Sequence, residues 1–251
     1  MVERLAGREV RHGVRTRARR RVLSPFRDDG SVLRLLKADA RTWLPAVPAE
    51  SVDLIVTDPP YVFGGRRIFR RWFEELADEA WLPILAELHR VLRPNRHLYL
   101  FCNARTKPIF DEAASAAGFR VKTPLIWDKQ SIGLGRGWRS QYEFICLYEK
   151  GSRTLRDNRS ANILRASRVT GGYPTEKPVE VISTIVWQAS REGELVLDPF
   201  CGSGNVGRAA REQGRRVLLC DTEPGFAADR LNVPVEPWPQ PSGHRGGGRR
   251  G

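Results

Sequence analysis

Two short stretches carry residue types that could do chemistry. Thr57-Asp58-Pro59-Pro60-Tyr61 ends the apolar run Val52-Asp53-Leu54-Ile55-Val56, which reads as a buried strand. Two consecutive prolines cannot continue that strand, because they lack ladder donors and fix φ. The chain thus closes a core strand with a carboxylate, a rigid elbow and an aromatic ring. The second stretch runs from the strand-like residues 194–198 through Pro199-Phe200-Cys201-Gly202-Ser203-Gly204 into a helix. Gly202, Gly204 and Gly207 have the spacing of a dinucleotide-binding turn, where absent side chains let a ligand approach the helix N-terminus. A glycine turn used only for helix–sheet packing has the same spacing.

Asp221 ends the following strand about 20 residues on, where such folds place a ribose-binding carboxylate. Asp198 stands at the doorway of the turn, and its negative charge opposes a pyrophosphate. A cofactor with a sulfonium, an α-ammonium and an adenosine suits both carboxylates. This favours S-adenosylmethionine (SAM) over NAD. Ligands of open α/β sheets sit beyond the carboxyl ends of the strands. If the two strands are neighbours, the Asp58 elbow and the glycine turn face each other across one crevice.

The elements that must position these residues alternate along the chain. Residues 31–37 and 52–57 read as strands. Phe73, Leu76, Ala80, Ile84, Leu88 and Val91 have helical spacing over 72–92, with Pro83 breaking or restarting the helix. Strands are expected at 97–102, 119–127 and 142–148, and a helix at 108–117 closed by Gly118. Residues 151–173 show no clear period and read as a loop or insertion. Helices at 177–189, 205–213 and 226–231 then alternate with strands at 194–198 and 216–220. The pattern predicts an α/β fold, a mostly parallel twisted sheet with helices on both faces.

Composition bounds the function. The chain has 251 residues, 41% hydrophobic, and no run approaches the roughly 18–20 apolar residues of a membrane span. Cys102, Cys146, Cys201 and Cys220 lie far apart with no CxxC pair, so no metal site is expected and the thiols read as buried in a reducing cytoplasm. Net charge is +13, concentrated at the ends. Residues 1–27 hold nine Arg and two Glu, and the last nine residues hold three Arg and no acid. Both ends read as disordered, leaving a domain at 28–235 and a Pro/Gly/Arg-rich tail at 236–251. Basic arms suit phosphate backbones, and charge alone equally allows a solubilising tail.

"TDPPY", "DPFCGSG" and the intervening "YPTEKP" resemble the motifs of the DNA amino-methyltransferases that modify adenine N6 or cytosine N4. Their order, target motif first and SAM motif last, is similar to the permuted β group of that family. "LHRVLRPNRHLYLF", "LIWDK", "QYEFICLYEKG" and "AADRL" resemble further family segments in sequential order, so the likeness spans residues 31–231. "RPNRH" stands where the family more usually has a glycine-rich turn.

The resemblance implies a Rossmann-like SAM methyltransferase fold with permuted motif order. It implies that Asp58 and the Pro59 carbonyl accept the hydrogens of an exocyclic amine, that Pro60 stiffens the elbow, and that Tyr61 stacks on a base flipped from duplex DNA. SAM would be held by Asp198, Phe200, Gly202 and Gly204, with Asp221 on the ribose, Lys177 toward the methionine carboxylate, and Asp39 and Ala40 by the adenine. An aspartate-led elbow leans toward adenine within the family. DNA phosphates are expected at Arg66, Arg67, Arg70 and Arg71, and at Arg136, Arg139, Arg153, Arg156, Arg159, Arg165 and Arg168. Target recognition would fall in 151–173. So short a segment implies a short site, relaxed specificity or a second subunit, which makes a homodimer a candidate; the resemblance separately makes a companion restriction endonuclease a candidate partner. Methylation of cytosine N4, RNA methylation and non-catalytic DNA binding on the same scaffold are the rival readings.

Overall fold

Apolar runs alternating with amphipathic stretches build one ten-stranded sheet in the computed structural model, which describes residues 31–60, 76–133 and 136–238. The strands are β1 (Leu33–Lys37), β2 (Val52–Thr57), β3 (Leu92–Cys102), β4 (Arg120–Val121), β5 (Leu125–Asp128), β6 (Tyr142–Lys150), β7 (Ile163–Arg165), β8 (Leu195–Asp198), β9 (Arg216–Asp221) and β10 (Val235–Pro237). Their order is β10-β1-β9-β8-β2-β3-β6-β5-β7, with β4 pairing β6. β6 runs antiparallel to β3, β4 and β5, and the remaining pairings are parallel.

Helices cover both faces, as the alternation predicts. On one side α1 (Ala40–Trp43), α2 (Trp81–Val91) and α3 (Lys107–Ala116) bury Trp43, Trp81, Leu88 and Phe110. On the other, α4 (Val179–Ala189), α5 (Asn205–Glu212) and α6 (Gly225–Leu231) bury Ile182, Val186, Val206 and Leu231. β2 lies between the two layers: Ile55 faces the first cluster, Leu54 and Val56 the second. That period-2 division between two apolar layers is why residues 54–56 read as a continuous apolar run.

The structure departs from the expected elements in identifiable places. α2 starts at Trp81 after a 3-10 turn (Asp78–Ala80), so Pro83 sits in the first helical turn, where its missing N–H has no intrahelical acceptor to lose. The run 119–127 is two strands, interrupted at Pro124, which cannot donate to a ladder. β3 begins five residues before the expected 97. Asn95 takes a left-handed φ of 58° there, and the register against β2 shifts between the Val52 and Leu54 pairs. Asparagine tolerates that conformation, so "RPNRH" turns without a glycine. β7 lies inside the segment expected to be a loop or insertion, and pairs with β5 in parallel. β10 crosses the expected boundary at 235: Glu236 and Pro237 pair with β1, and Trp238 packs on the core. All four cysteines are buried free thiols. Among the described residues no helix is long and apolar enough to cross a membrane.

Candidate active site

β2 and β8 are hydrogen-bonded neighbours, with Leu54 opposite Val196 and Ile55 opposite Leu197. Their carboxyl ends therefore open into the same cleft. Asp58, Pro59 and Pro60 line one part of it, and Asp198, Phe200 and Gly202 another. Asp39 and Ala40 beyond β1, Lys177 before α4 and Asp221 at the end of β9 line it too. Of the expected site residues, Gly204 is not among those lining the cleft, though its neighbours Ser203 and Asn205 are, and Tyr61 is outside the described residues.

Asp58 is only partly covered, its side chain 26% exposed, and its two oxygens differ. Oδ2 pairs with Lys177 Nζ, whereas Oδ1 is buried without a hydrogen-bond partner among the described residues. Lys177 Nζ also lies 3.6 Å from Glu143 Oε2 on β6, and Glu143 Oε1 accepts a 3.0 Å hydrogen bond from Lys129 Nζ. The result is a line of alternating charge from Lys129 through Glu143 and Lys177 to Asp58. Burial pushes Asp58 up to about 6 against the pull of Lys177, with Glu143 adding to the rise. Burial opposes the charge of Lys177, but Asp58 and Glu143 together hold its pKa above the ordinary lysine range. Burial likewise opposes ionised Glu143, yet Lys177 and Lys129 keep its pKa below the usual value. The sequence likeness points Lys177 toward a cofactor carboxylate, whereas its ammonium here is engaged by the elbow.

The glycine turn is built for close approach. Gly202 and Gly204 have φ of 43° and 79°, conformations that side chains resist. A Cβ on Gly204 would stand 3.1 Å from Ala227 Cβ, and one on Gly202 would stand 3.1 Å from the Tyr173 ring. Asp221 fixes the turn: its Oδ2 accepts from Gly202 N at 2.8 Å and its Oδ1 from Glu223 N at 2.9 Å. Asp198 is buried, and burial lifts its pKa to about 7, against hydrogen bonds from Thr57 Oγ1 and Phe200 N and with Asp221 and Asp58 raising it further. Asp39 caps α1 and pairs with Arg41, which lowers its pKa. Asp39, Asp198, Asp221 and Glu223 give this end of the cleft a carboxylate lining that suits a cationic group and hydroxyl donors.

Glu143, Tyr173 and Glu176 were not singled out by sequence reasoning. Tyr173 covers Gly202 and packs its ring on Phe226 at 5.2 Å. Glu176 accepts from Asn205 Nδ2 at 2.7 Å and pairs with Arg230, anchoring the segment that delivers Lys177. All three lie inside the quoted motifs. What the sequence lacks is any sign of which way they point.

The basic stretch 128–168 divides. Arg153 pairs with Glu194 at 2.8 Å, and Arg156 donates to the Trp187 carbonyl, both at the sheet edge opposite the cleft. Arg165 lies 3.6 Å from Asp128, and Arg168 donates to the Ser131 carbonyl. Arg136 and Arg139 have no side-chain partner among the described residues, and like the fully exposed Trp138 they lie in the β5–β6 connection. β5 runs in the direction of β2, so this connection is at the cleft edge of the sheet. Arg66, Arg67, Arg70 and Arg71 are outside the described residues.

Residues 52–230 match the family described as DNA methylase. The DNA adenine methyltransferase YhdJ of Escherichia coli (strain K12) is 27% identical over 235 residues, covering 77% of this chain and 80% of that protein. The type II methyltransferase M.HpaI of Haemophilus parainfluenzae is 26% identical over 237 residues, covering 79% and 74%. Among solved structures, the M1.HpyAVI–SAM complex aligns with a TM-score of 0.62 at 22% identity, covering 79% of this chain and all of that one. The cytosine-N4-specific PvuII DNA methyltransferase aligns with a TM-score of 0.68 at 14% identity, covering 80% and 86%. These two alignments show a shared fold.

Proposed function

We propose that this chain, which belongs to the DNA methylase family, transfers a methyl group from SAM to the N6 amine of adenine in DNA. One observation carries the reading. Asp58 of the proline elbow lines the same cleft as the carboxylate-lined glycine turn, and its Oδ1 has no hydrogen-bond partner among the described residues.

The cleft fits SAM, the cofactor of this family. Asp198 meets cationic charge. Asp221 still has acceptor capacity after taking one backbone N–H on each oxygen, enough for ribose hydroxyls. Phe200, Gly202 and Gly204 would form the turn around the cofactor, and Asp39 and Ala40 would hold its adenine. SAM, when bound, supplies a methyl group on a sulfonium, whose S–C bonding electrons stay on sulfur as the methyl leaves. We assign Lys177 to the elbow, since Asp58 and Glu143 already hold its ammonium.

An exocyclic amine is a poor nucleophile because its lone pair is delocalised into the ring. Asp58 Oδ1 and the Pro59 carbonyl each accept one N–H, which turns the nitrogen out of conjugation and aims its lone pair at the methyl group. Pro60 fixes the direction of that carbonyl, and Tyr61 stacks on the extruded base. Catalysis is then positioning and electrostatic pre-organisation, without a covalent nucleophile. Cys201, buried with its pKa driven up by desolvation, takes no part. Adenine is favoured by the aspartate that leads the elbow and by likeness to a relative named as a DNA adenine methyltransferase. The type II names among other relatives keep a companion endonuclease within the proposal.

Labelled methyl transfer from SAM to duplex DNA, single-stranded DNA and RNA, followed by nucleoside analysis, tests the reading. N6-methyladenine in DNA is the expected product. N4-methylcytosine would move the target to cytosine, and label confined to RNA, or none despite SAM binding, would overturn the proposal.

A further inference from the structure

Lys177 presents a charge problem that the elbow alone does not solve. Its side chain is 5% exposed, and its immediate surroundings are the Phe101 ring at 5.6 Å, the Thr175 carbonyl at 3.2 Å and the two carboxylates. Asp58 faces Lys177 from just beyond β2, and Glu143 on β6, Asp198 on β8 and Tyr173 also interact electrostatically with Asp58. Any step that neutralises Asp58 removes the closest counter-charge from a buried ammonium, which is costly unless another anion takes its place.

Glu143 is placed to be that anion. Its Oε1 is anchored by Lys129, while its Oε2 is buried, points at Lys177 from 3.6 Å and has no hydrogen-bond partner among the described residues. A small swing of Nζ would exchange one carboxylate for the other.

We propose that Glu143 is a positioning residue that takes over the Lys177 charge when Asp58 accepts a proton from the methylated amine. The inference rests on the activity proposed above. The amine nitrogen forms its bond to the methyl carbon with its own lone pair, and the S–C bond breaks with its electrons left on sulfur. The nitrogen is then cationic. One N–H bond breaks, its electron pair returns to nitrogen, and the proton passes to Asp58 Oδ1. Asp58 becomes neutral, Lys177 closes on Glu143 Oε2, and the buried line keeps its charges paired. Glu143 also sets the readiness of Asp58 for that proton. Its negative charge draws on Lys177, so the lysine does not hold Asp58 as a fully committed anion.

Two variants with opposite signs test this. Glu143→Gln removes a negative charge and leaves Lys177 wholly to Asp58, so the Asp58 carboxyl should titrate at lower pH. Lys129→Met removes a positive charge and frees Glu143 to claim Lys177, so Asp58 should titrate at higher pH. Both are read by carboxyl 13C NMR on the full chain without SAM, with the Asp58 resonance assigned by its loss in Asp58→Asn. The acid limb of the single-turnover rate on DNA should move in the same directions. The plateau rate of Glu143→Gln should fall roughly tenfold or more, with SAM affinity unchanged. Equal loss of rate at every pH, with the Asp58 midpoint unmoved in both variants, would overturn the inference while leaving the proposed function standing. A wild-type chain that methylates no nucleic acid would overturn both.

Discussion

Thr57 Oγ1 donates a 2.7 Å hydrogen bond to Asp198 Oδ1, tying the last residue of β2 to the last residue of β8. The two motifs therefore begin from one buried contact, and the charge of Asp198 belongs to both. Asp198 is pushed up to about 7, chiefly by burial. A cationic cofactor needs the ionised form, so SAM affinity should be flat above that value. It should fall by up to about tenfold per pH unit below it, as the carboxyl protonates before the ligand arrives. Calorimetric titration across about pH 5.5 to 8.5 measures the slope. Asp198→Asn should bind more weakly and flatten it, and a wild-type affinity independent of pH would remove Asp198 from the cofactor site.

The same contact makes a separate claim about Thr57. In Thr57→Val a buried acceptor loses its donor at nearly constant volume, which should cost about 1–2 kcal/mol. The lost hydrogen bond also stabilised the ionised carboxylate, so the inflection in SAM affinity should move to higher pH. Thermal unfolding and the binding profile read the two effects separately. An unchanged inflection would mean that the bond is structural only.

The fold was legible where burial is two-sided. β2 and β8 carry the apolar runs 54–56 and 195–197 because helices cover both faces, and composition alone reveals those runs. β7 and β10 are three-residue strands with mostly exposed side chains, held by pairing to β5 and β1, so no periodicity announces them. The site was legible as two motifs and not as contacts. Lys177 and Asp58 are 119 residues apart, and nothing in either motif states that the ammonium meets the elbow rather than the open cleft. Arg153 and Arg139 look alike in the sequence, yet one is partly buried against Glu194 and the other is exposed at the cleft edge.

Asp58→Ala should abolish the chemistry and spare the scaffold. The variant loses the acceptor for the amine, and Lys177 keeps Glu143 as its partner, so no buried cation is stranded. Methyl transfer should fall by about 100-fold or more, in the range seen when a pre-organised polar group is removed from a reacting centre. SAM affinity should stay within a few-fold of wild type. Rapid transfer by the variant would show that Asp58 does not hold the amine.

Lys177→Met should behave in the opposite way and damage stability. It leaves Asp58 and Glu143 as two partly buried carboxylates without their shared cation, and the loss of a buried partner costs about 3 kcal/mol. With the cation gone both carboxyl pKa values rise, so the deficit should be largest where both are ionised and shrink as pH falls through the raised values. Urea unfolding at about pH 8 and about pH 5 should therefore separate variant from wild type strongly and weakly, respectively. A deficit that does not change with pH would mean that the lysine contributes packing and no charge.

The division of the arginines predicts two distinguishable phenotypes. Arg136 and Arg139 are exposed at the cleft edge without side-chain partners among the described residues, so their charges are available to phosphates. If each contacts one phosphate, replacing both by alanine should weaken binding to any DNA sequence alike and reduce the log–log salt slope by about two. Unfolding temperature should stay constant. Arg153→Ala should do the reverse: Glu194 loses a partly buried partner at 2.8 Å, stability falls, and the salt slope does not move. Fluorescence anisotropy on labelled duplexes over a salt series, with thermal unfolding of each variant, gives both readings. A salt slope that drops with Arg153 and not with Arg136 and Arg139 would place the DNA on the opposite edge of the sheet, and the Asp58 cleft could not then be where a flipped base arrives.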